Sequence, residues 1–280
     1  MPEPTELSTA GPTKLSPAPA GQSMNIPRDA KLSVIVPCLN EADVLPQLHP
    51  RLVASLDALG LRWEVIFVDD GSSDGTYEKL RELHRADARL KALALSRNFG
   101  HQVAISAGLA AADGDYVAVI DADLQDPPEL IASAVNLLQQ GFDVVYAVRR
   151  KRKGNLLKRG AYRVFYRVLG KLAEVEIPLD AGDFSVMTRR VVDVLNTMRE
   201  RHRFVRGLRA WTGFRQIGLE YERESRAAGA TKYPWRKLVH LAADGIFSFS
   251  TGPLRLSVYL GMATLAFCFA AGLFILVWRL

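Results

Sequence analysis

The stretch VAVIDADLQDPPELI, Val117 to Ile131, runs from apolar residues straight into Asp121 and Asp123, with Gln125 and Asp126 close behind. Two carboxylates at a strand end repel each other and lose hydration, so the pattern is costly unless something positive sits between them. A hard divalent cation meets that need. It takes carboxylate and carbonyl oxygens, can keep bound phosphate oxygens, and Gln125 can add a carbonyl ligand. The alternative is structural, because Asp favours turns and Asp126-Pro127-Pro128 is a good helix start. A D-x-D alone is a weak signal. It gains weight from a second acidic run earlier in the chain, Asp69-Asp70-Gly71-Ser72-Ser73-Asp74-Gly75. Neither of the two common glycine-rich phosphate loops occurs, so a bound diphosphate would rely on metal for much of its neutralisation.

The elements that must position these residues alternate from Lys31 onward. LSVIVPCL, WEVIFVDD, LKALAL, YVAVIDAD and DVVYAVRR read as strands. Between them, Glu41 to Leu59, Asp74 to Ala86, Gln102 to Ala112 and Pro128 to Gln140 read as helices. The strands are continuous apolar runs, as parallel strands covered on both faces should be. This alternation predicts an α/β fold, a doubly wound, mostly parallel sheet built from right-handed units. In such sheets ligands bind beyond the carboxyl ends of the strands. The polar motifs stand there: Pro37 and Asn40-Glu41 after the first strand, the Asp69 run after the second, Asp121-Ala122-Asp123 after the fourth, and Arg149 to Lys153 after the fifth.

In that order the residues become a pattern. VIVPCLNE (34–41), FVDDGSSDGT (67–76), SRNFGHQVA (96–104), DADLQDPPE (121–129), AGDFSVM (181–187), RFVRGL (203–208) and SFSTGPLR (248–255) cover residues 33 to 255. The chain resembles the family-2 glycosyltransferases of A-type fold. More closely, it is similar to the polyprenyl-phosphate branch, which includes dolichyl-phosphate mannose synthases and bacterial undecaprenyl-phosphate sugar transferases. The resemblance implies an inverting transfer of a hexose from a nucleotide-diphosphate sugar to a polyprenyl phosphate. It implies that Pro37, Asn40, Glu41 and Asp70, with Asp69 nearby, hold the donor nucleoside. Asp121 would reach ribose or diphosphate and share with Asp123 and Gln125 in holding Mg²⁺ or Mn²⁺. Asp183 would sit beside the reacting sugar, and Arg149, Arg226 and Lys232 would take the acceptor phosphate. Asp183 keeps two readings, a base or orienter of the attacking group and a loop acid bonded to backbone. A lipid monophosphate has a second pKa near ~6 and is largely ionised at neutral pH, so it needs a cationic cradle more than a base.

The rest of the sequence concerns the membrane. Leu256 to Trp278 carries no charge over 23 residues and is bounded by Arg255 and Arg279. As a helix it would span about 35 Å at ~1.5 Å per residue, enough for a hydrocarbon core of ~30 Å. Tyr233 to Ser250 is too polar to span and places Leu238, Leu241, Ile246 and Phe249 near one face, which suits a helix lying in the interface. The expected organisation is a disordered tail over 1–30, a catalytic domain over 31–232, a juxtamembrane amphipathic segment over 233–253 and a transmembrane helix over 254–280. Met24 is a second candidate start and no signal peptide is expected; the chain is read either as a single-span protein or as one cut short of further spans, with the second preferred. Cys38 and Cys268 suit a reducing compartment. Lys and Arg before the span predict a catalytic domain on the cytoplasmic side of the plasma membrane.

The net charge of +6 raises nucleic-acid binding. An acid set converging on one edge argues against it, and equally against a non-catalytic, membrane-tethered anion-binding module. A processive polysaccharide synthase shares the acidic motifs. It would also carry a Gln-x-x-Arg-Trp motif, whereas this chain has Arg206-Gly-Leu-Arg-Ala-Trp. The partners expected are a nucleotide sugar, UDP-glucose before GDP-mannose, a polyprenyl phosphate and a membrane. A homo-oligomer remains an open option.

Overall fold

The computed structural model describes residues 27, 29–149, 181–200, 203–222 and 252–279. The elements run β1 (Lys31–Cys38), α1 (Leu45–Asp57), β2 (Arg62–Asp69), α2 (Thr76–Ala86), β3 (Leu90–Ala94), α3 (His101–Ala111), β4 (Tyr116–Val119), α4 (Leu130–Gln139) and β5 (Val144–Arg149). They continue with β6 (Ala181–Thr188), α5 (Arg189–Thr197), α6 (Val205–Trp211), β7 (Gln216–Tyr221) and α7 (Gly252–Arg279). The predicted tail over 1–30 lies outside the described residues except for its last few. So do the predicted interfacial segment 233–250, the basic run after Arg149, and Arg226 and Lys232.

The seven strands form one sheet in the order β3-β2-β1-β4-β6-β5-β7. β1 pairs in parallel with β2 and β4, and β2 with β3, as the apolar runs predict. Two strands were not expected from the sequence, β6 and β7. β6 is antiparallel to both β4 and β5, while β7 is parallel to β5. β6 escaped notice because AGDFSVMT mixes polar and apolar residues and so presents no continuous apolar run.

Both faces of the sheet are covered. On one, α1 buries Leu45, Leu48, Leu52 and Leu56, one stripe at helical spacing, against Val34, Val36, Val65 and Phe67. Each such leucine contributes roughly 1.5–3 kcal/mol by leaving water. On the other face, α3 buries Ala104, Ile105 and Leu109 against Ile35, Ile66 and Val68. Its Gly108 packs so closely that a Cβ would lie 2.3 Å from Ile35 Cγ2. That contact seats the last turn of α3 on the middle of β1.

α7 stands apart. Ser257–Arg279 has a mean hydropathy of 2.4 and none of it is buried in the chain. Phe267, Phe269 and Leu265 are all more than 70% exposed. A continuous apolar surface of this length makes α7 a candidate membrane span.

At the opposite end of the sheet from the acidic loops, Glu64 is buried in β2. Its carboxylate accepts from Ser33 Oγ at 2.6 Å and pairs with Lys31 Nζ at 2.8 Å and Lys91 Nζ at 2.6 Å. Burial alone would raise its pKa, but hydrogen bonds from Lys31, Lys91 and Ser33 outweigh it and hold the carboxyl at about 2. A depressed carboxyl stabilises the fold above its unfolded pKa and loses that contribution as pH falls through the folded one. Glu64→Gln should therefore cost about 3 kcal/mol at neutral pH. The gap between wild type and variant should close as pH falls from ~4.5 toward ~2. Chemical denaturation at several pH values measures this, and a gap independent of pH in that window would show that the lysine pairs do not stabilise the fold.

Candidate active site

The loops after β1 and β2 are stitched together. Asn40 adopts a left-handed φ of 56°. Its Oδ1 accepts the Ser73 N–H at 2.9 Å, and its own N–H donates to Ser72 Oγ at 2.9 Å. The Glu41 N–H donates to Thr76 Oγ1, while Asp74 accepts from the Ala42 N–H and from Thr76. Pro37 is buried in β1 opposite Val68. Its missing N–H is harmless there, because the β1–β4 ladder ends at Ile35 and Val119.

Asp69 and Asp70 differ in their work. Asp70 accepts the Phe99 N–H at 2.8 Å through Oδ1 and the Gly100 N–H at 2.9 Å through Oδ2, at the entry to α3. A carboxylate there also faces the positive end of the helix. Both its oxygens anchor the loop 97–100. Asp69 accepts the Ser72 N–H at 3.3 Å through Oδ2, while its Oδ1 is buried without a hydrogen bond among the described residues. Gly71 between the acids and Ser72 has φ 72°, and a Cβ would lie 2.5 Å from the Arg97 carbonyl carbon. Only glycine fits this turn.

β4 ends at Val119, so Asp121 and Asp123 lie in the loop beyond it rather than in the strand that the sequence suggested. The loop turns at Leu124, a non-glycine residue with φ 58°. That conformation costs on the order of 1–3 kcal/mol and persists only where its surroundings enforce it. Here the Leu124 side chain is buried in the core and the Gln125 N–H donates to Asp123 Oδ1 at 3.1 Å. The turn places two buried oxygens at the sheet edge, Asp121 Oδ1 and Gln125 Oε1, that find no hydrogen-bond partner among the described residues. Burial pushes the Asp121 carboxyl up to about 6; the charges of Asp183, Asp126 and Asp123 add to this, while His101 opposes it.

The third acid is handled differently. Between the pairs Tyr146–Ser185 and Val148–Ala181, β5 advances two residues while β6 advances four. This bulge falls at Gly182, Asp183 and Phe184, and bulges re-aim side chains. Phe184 packs into the core with α1 and α4. Asp183 meets His101 and Gln102 of α3 and Arg206 of α6. Arg206 donates from Nε to Asp183 Oδ1 at 2.7 Å and from Nη2 to Oδ2 at 2.8 Å, a two-pronged grip. His101 Nε2 lies 3.1 Å from Asp183 Oδ2 and 3.5 Å from Asp121 Oδ1. Gln102 adds Nε2 to Asp183 Oδ1 at 3.4 Å and accepts the Val205 N–H at 2.8 Å, tying α3 to the start of α6. Burial would raise the Asp183 pKa, but Arg206 and His101 hold it well below the usual range. Burial would lower the His101 pKa, but the bond to Asp183 and the charges of Asp121 and Asp183 raise it.

Arg149 ends β5 and pairs in register with Tyr221 of β7. Its Nε donates to the Tyr221 hydroxyl at 3.3 Å, and that hydroxyl in turn donates to Asp126 Oδ1 in a short hydrogen bond. Burial and the bond to Asp126 push the Tyr221 phenol up to about 12, so it stays a donor.

The predicted acids and Arg149 thus gather at one sheet edge. His101, Gln102, Arg206 and Tyr221 were not singled out from the sequence. SRNFGHQVA and RFVRGL were legible as motifs, but their partner, Asp183, sits on another strand. His101, Asp121 and Asp183 bring ligand atoms within 4.8 Å of one another. Arg206 already neutralises Asp183, so a cation there would press against a guanidinium. The unbonded oxygens of Asp121 and Gln125, with Asp123 beside them, fit a hard cation better.

Residues 33–195 match the family description "Glycosyl transferase family 2". The chain is 46% identical over 236 residues to an uncharacterised glycosyltransferase, YkcC, of Bacillus subtilis, covering 84% of this chain and 73% of that protein. It is 38% identical over 244 residues to the prophage bactoprenol glucosyl transferase homolog of Escherichia coli, covering 86% and 80%. Among solved structures it is similar in fold to the mannosyltransferase PcManGT of Pyrobaculum calidifontis, determined with GDP-Man and Mn²⁺. That match has a TM-score of 0.52 and 23% identity, over 74% of this chain and 60% of that one. The sheet order, the acidic edge and these matches agree, and the chain belongs to glycosyl transferase family 2.

Proposed function

We propose that this chain is a membrane-anchored, inverting, metal-dependent hexosyltransferase that moves glucose from UDP-glucose to a polyprenyl phosphate. The observation that carries the reading is one edge holding both halves of such a reaction. Unbonded acid and amide oxygens stand at Asp69, Asp121 and Gln125, and a guanidinium stands beyond them at Arg149. Relatives named bactoprenol glucosyl transferase, 36–38% identical over most of the chain, support the choice of sugar and lipid.

In this reading Pro37, Asn40 and Glu41 line the nucleoside pocket. Asp70 shapes that pocket by holding the loop 97–100 rather than by touching the base. Asp121, Asp123 and Gln125 would hold Mg²⁺ or Mn²⁺, which offsets the negative charge growing on the departing diphosphate. Asp183 is a poor proton acceptor under the grip of Arg206, so it orients the sugar or the attacking group. No base is needed, because the acceptor phosphate is already ionised. Its oxygen bonds to the anomeric carbon from the face opposite the diphosphate, the carbon–oxygen bond to that diphosphate breaks with its electron pair, and the configuration inverts. Arg149, with Arg226 and Lys232, holds the attacking phosphate.

Incubating the purified chain with undecaprenyl phosphate and either UDP-glucose or GDP-mannose tests the reading. Glucosyl lipid should form, and absence of lipid-linked sugar from both donors would overturn it. Asp123→Asn should lower turnover by ~10²-fold or more, and EDTA should do the same to wild type. Full activity in EDTA would remove the metal role.

Lys and Arg precede the span, so the catalytic domain should face the cytoplasm, with α7 as its anchor. Protease added outside intact cells should leave the domain uncut, and cleavage there would reverse the orientation.

A further inference from the structure

Asp126 and Tyr221 have no part in the chemistry above, yet they form the most buried polar contact at this edge. Asp126 is fully buried, in the loop leading to α4. Its Oδ1 takes the Tyr221 hydroxyl, while its Oδ2 is buried with no hydrogen bond among the described residues. Leaving such an oxygen unmet costs about 1–3 kcal/mol or more, so its placement has a reason other than packing. Gly182 shows what it faces. A Cβ built there would lie 3.6 Å from Arg149 Nη2 and 3.9 Å from Asp126 Oδ2. The guanidinium and the unmet carboxylate oxygen therefore flank the same glycine, where β6 begins.

We infer that Tyr221 is a positioning residue for the acceptor: anchored on buried Asp126, its hydroxyl fixes the Arg149 guanidinium where a lipid phosphate must sit. Three features of the fold combine to do this. The parallel register pairs Arg149 with Tyr221, so their side chains stand side by side on one face. The buried carboxylate orients the phenol, leaving its oxygen lone pairs for Arg149 Nε. With Nε held by the phenol, the terminal nitrogens can meet a phosphate as a fork, the geometry that favours arginine over lysine. An arginine at the end of a strand would otherwise sample many rotamers, and fixing it in advance removes that entropy cost from binding. The tyrosine is thus the link between a core acid and the guanidinium it holds.

The inference rests on Arg149 as a contact to the acceptor phosphate, and the experiment separates the two. The full membrane-inserted chain is assayed as wild type, Tyr221→Phe, Arg149→Ala and the double variant, with KM measured for undecaprenyl phosphate and for UDP-glucose. Tyr221→Phe keeps the ring and its packing but leaves buried Asp126 Oδ1 without its donor, so a lowered melt is expected, and a transition that stays cooperative and above the assay temperature confirms the fold. The acceptor KM should rise about three- to tenfold, in line with the loss of one orienting hydrogen bond, while the donor KM stays put. Arg149→Ala should raise the acceptor KM further, and adding Tyr221→Phe to it should change nothing more, because the tyrosine acts only through the arginine. Effects that multiply in the double variant, an acceptor KM unmoved by Tyr221→Phe, or donor and acceptor KM rising together would each overturn the inference. An acceptor KM unchanged by Arg149→Ala would instead overturn the role of Arg149 itself.

Discussion

Crowded carboxylates at a single sheet edge are the constraint on which this structure turns. Asp69, Asp121, Asp126 and Asp183 are all largely withdrawn from water there, and like charges in a poorly solvated space disfavour one another. The chain meets each differently. Asp183 is gripped by Arg206 and His101 and held ionised. Asp126 is met by a phenol and left one oxygen short. Among the described residues Asp121 has a distant imidazole at 3.5 Å and the more remote charge of Arg149, and burial pushes its carboxyl up to about 6. Among the described residues, positive charge therefore falls short around Asp121, beside Asp123 and Gln125, and the proposed cation would offset it there.

The antiparallel strand makes this crowding possible. Parallel strands deliver only their last residues to the carboxyl edge. β6 runs the other way between β4 and β5, so its first residues arrive at the same edge. Asp183, near its start, joins acids that follow β2 and β4. The bulge then turns it toward α3 and α6, while β7 brings Tyr221 alongside Arg149 on the opposite face. The site is thus assembled from both faces of the sheet, with the loop holding Asp121 between them.

Rigidity of the loops has local causes. Asp70 clamps two backbone N–H groups, Gly71 leaves no room for a side chain, and Leu124 accepts a left-handed turn because its side chain is buried. These features hold a geometry before any ligand arrives, which reduces what binding must order. α7 contributes none of this packing among the described residues, and its apolar surface faces outward over Ser257–Arg279.

The sequence by itself determined the strands β1 to β5, the helices between them and the apolar C-terminal helix, because each is written in hydrophobic period over contiguous residues. It also determined which acids end up at the ligand edge, since parallel strand–helix units place strand ends together. Helix bounds shifted by up to four residues, as at the start of α1, where turns at 42–44 precede Leu45. Tertiary structure alone decided that β6 runs antiparallel, that Asp183 bonds to Arg206 and His101, that Asp70 serves a loop, and that Tyr221 stands beside Arg149. Those facts depend on sheet register and on contacts between residues 23 to 95 positions apart. No local period encodes such pairings; they follow from how the whole sheet packs.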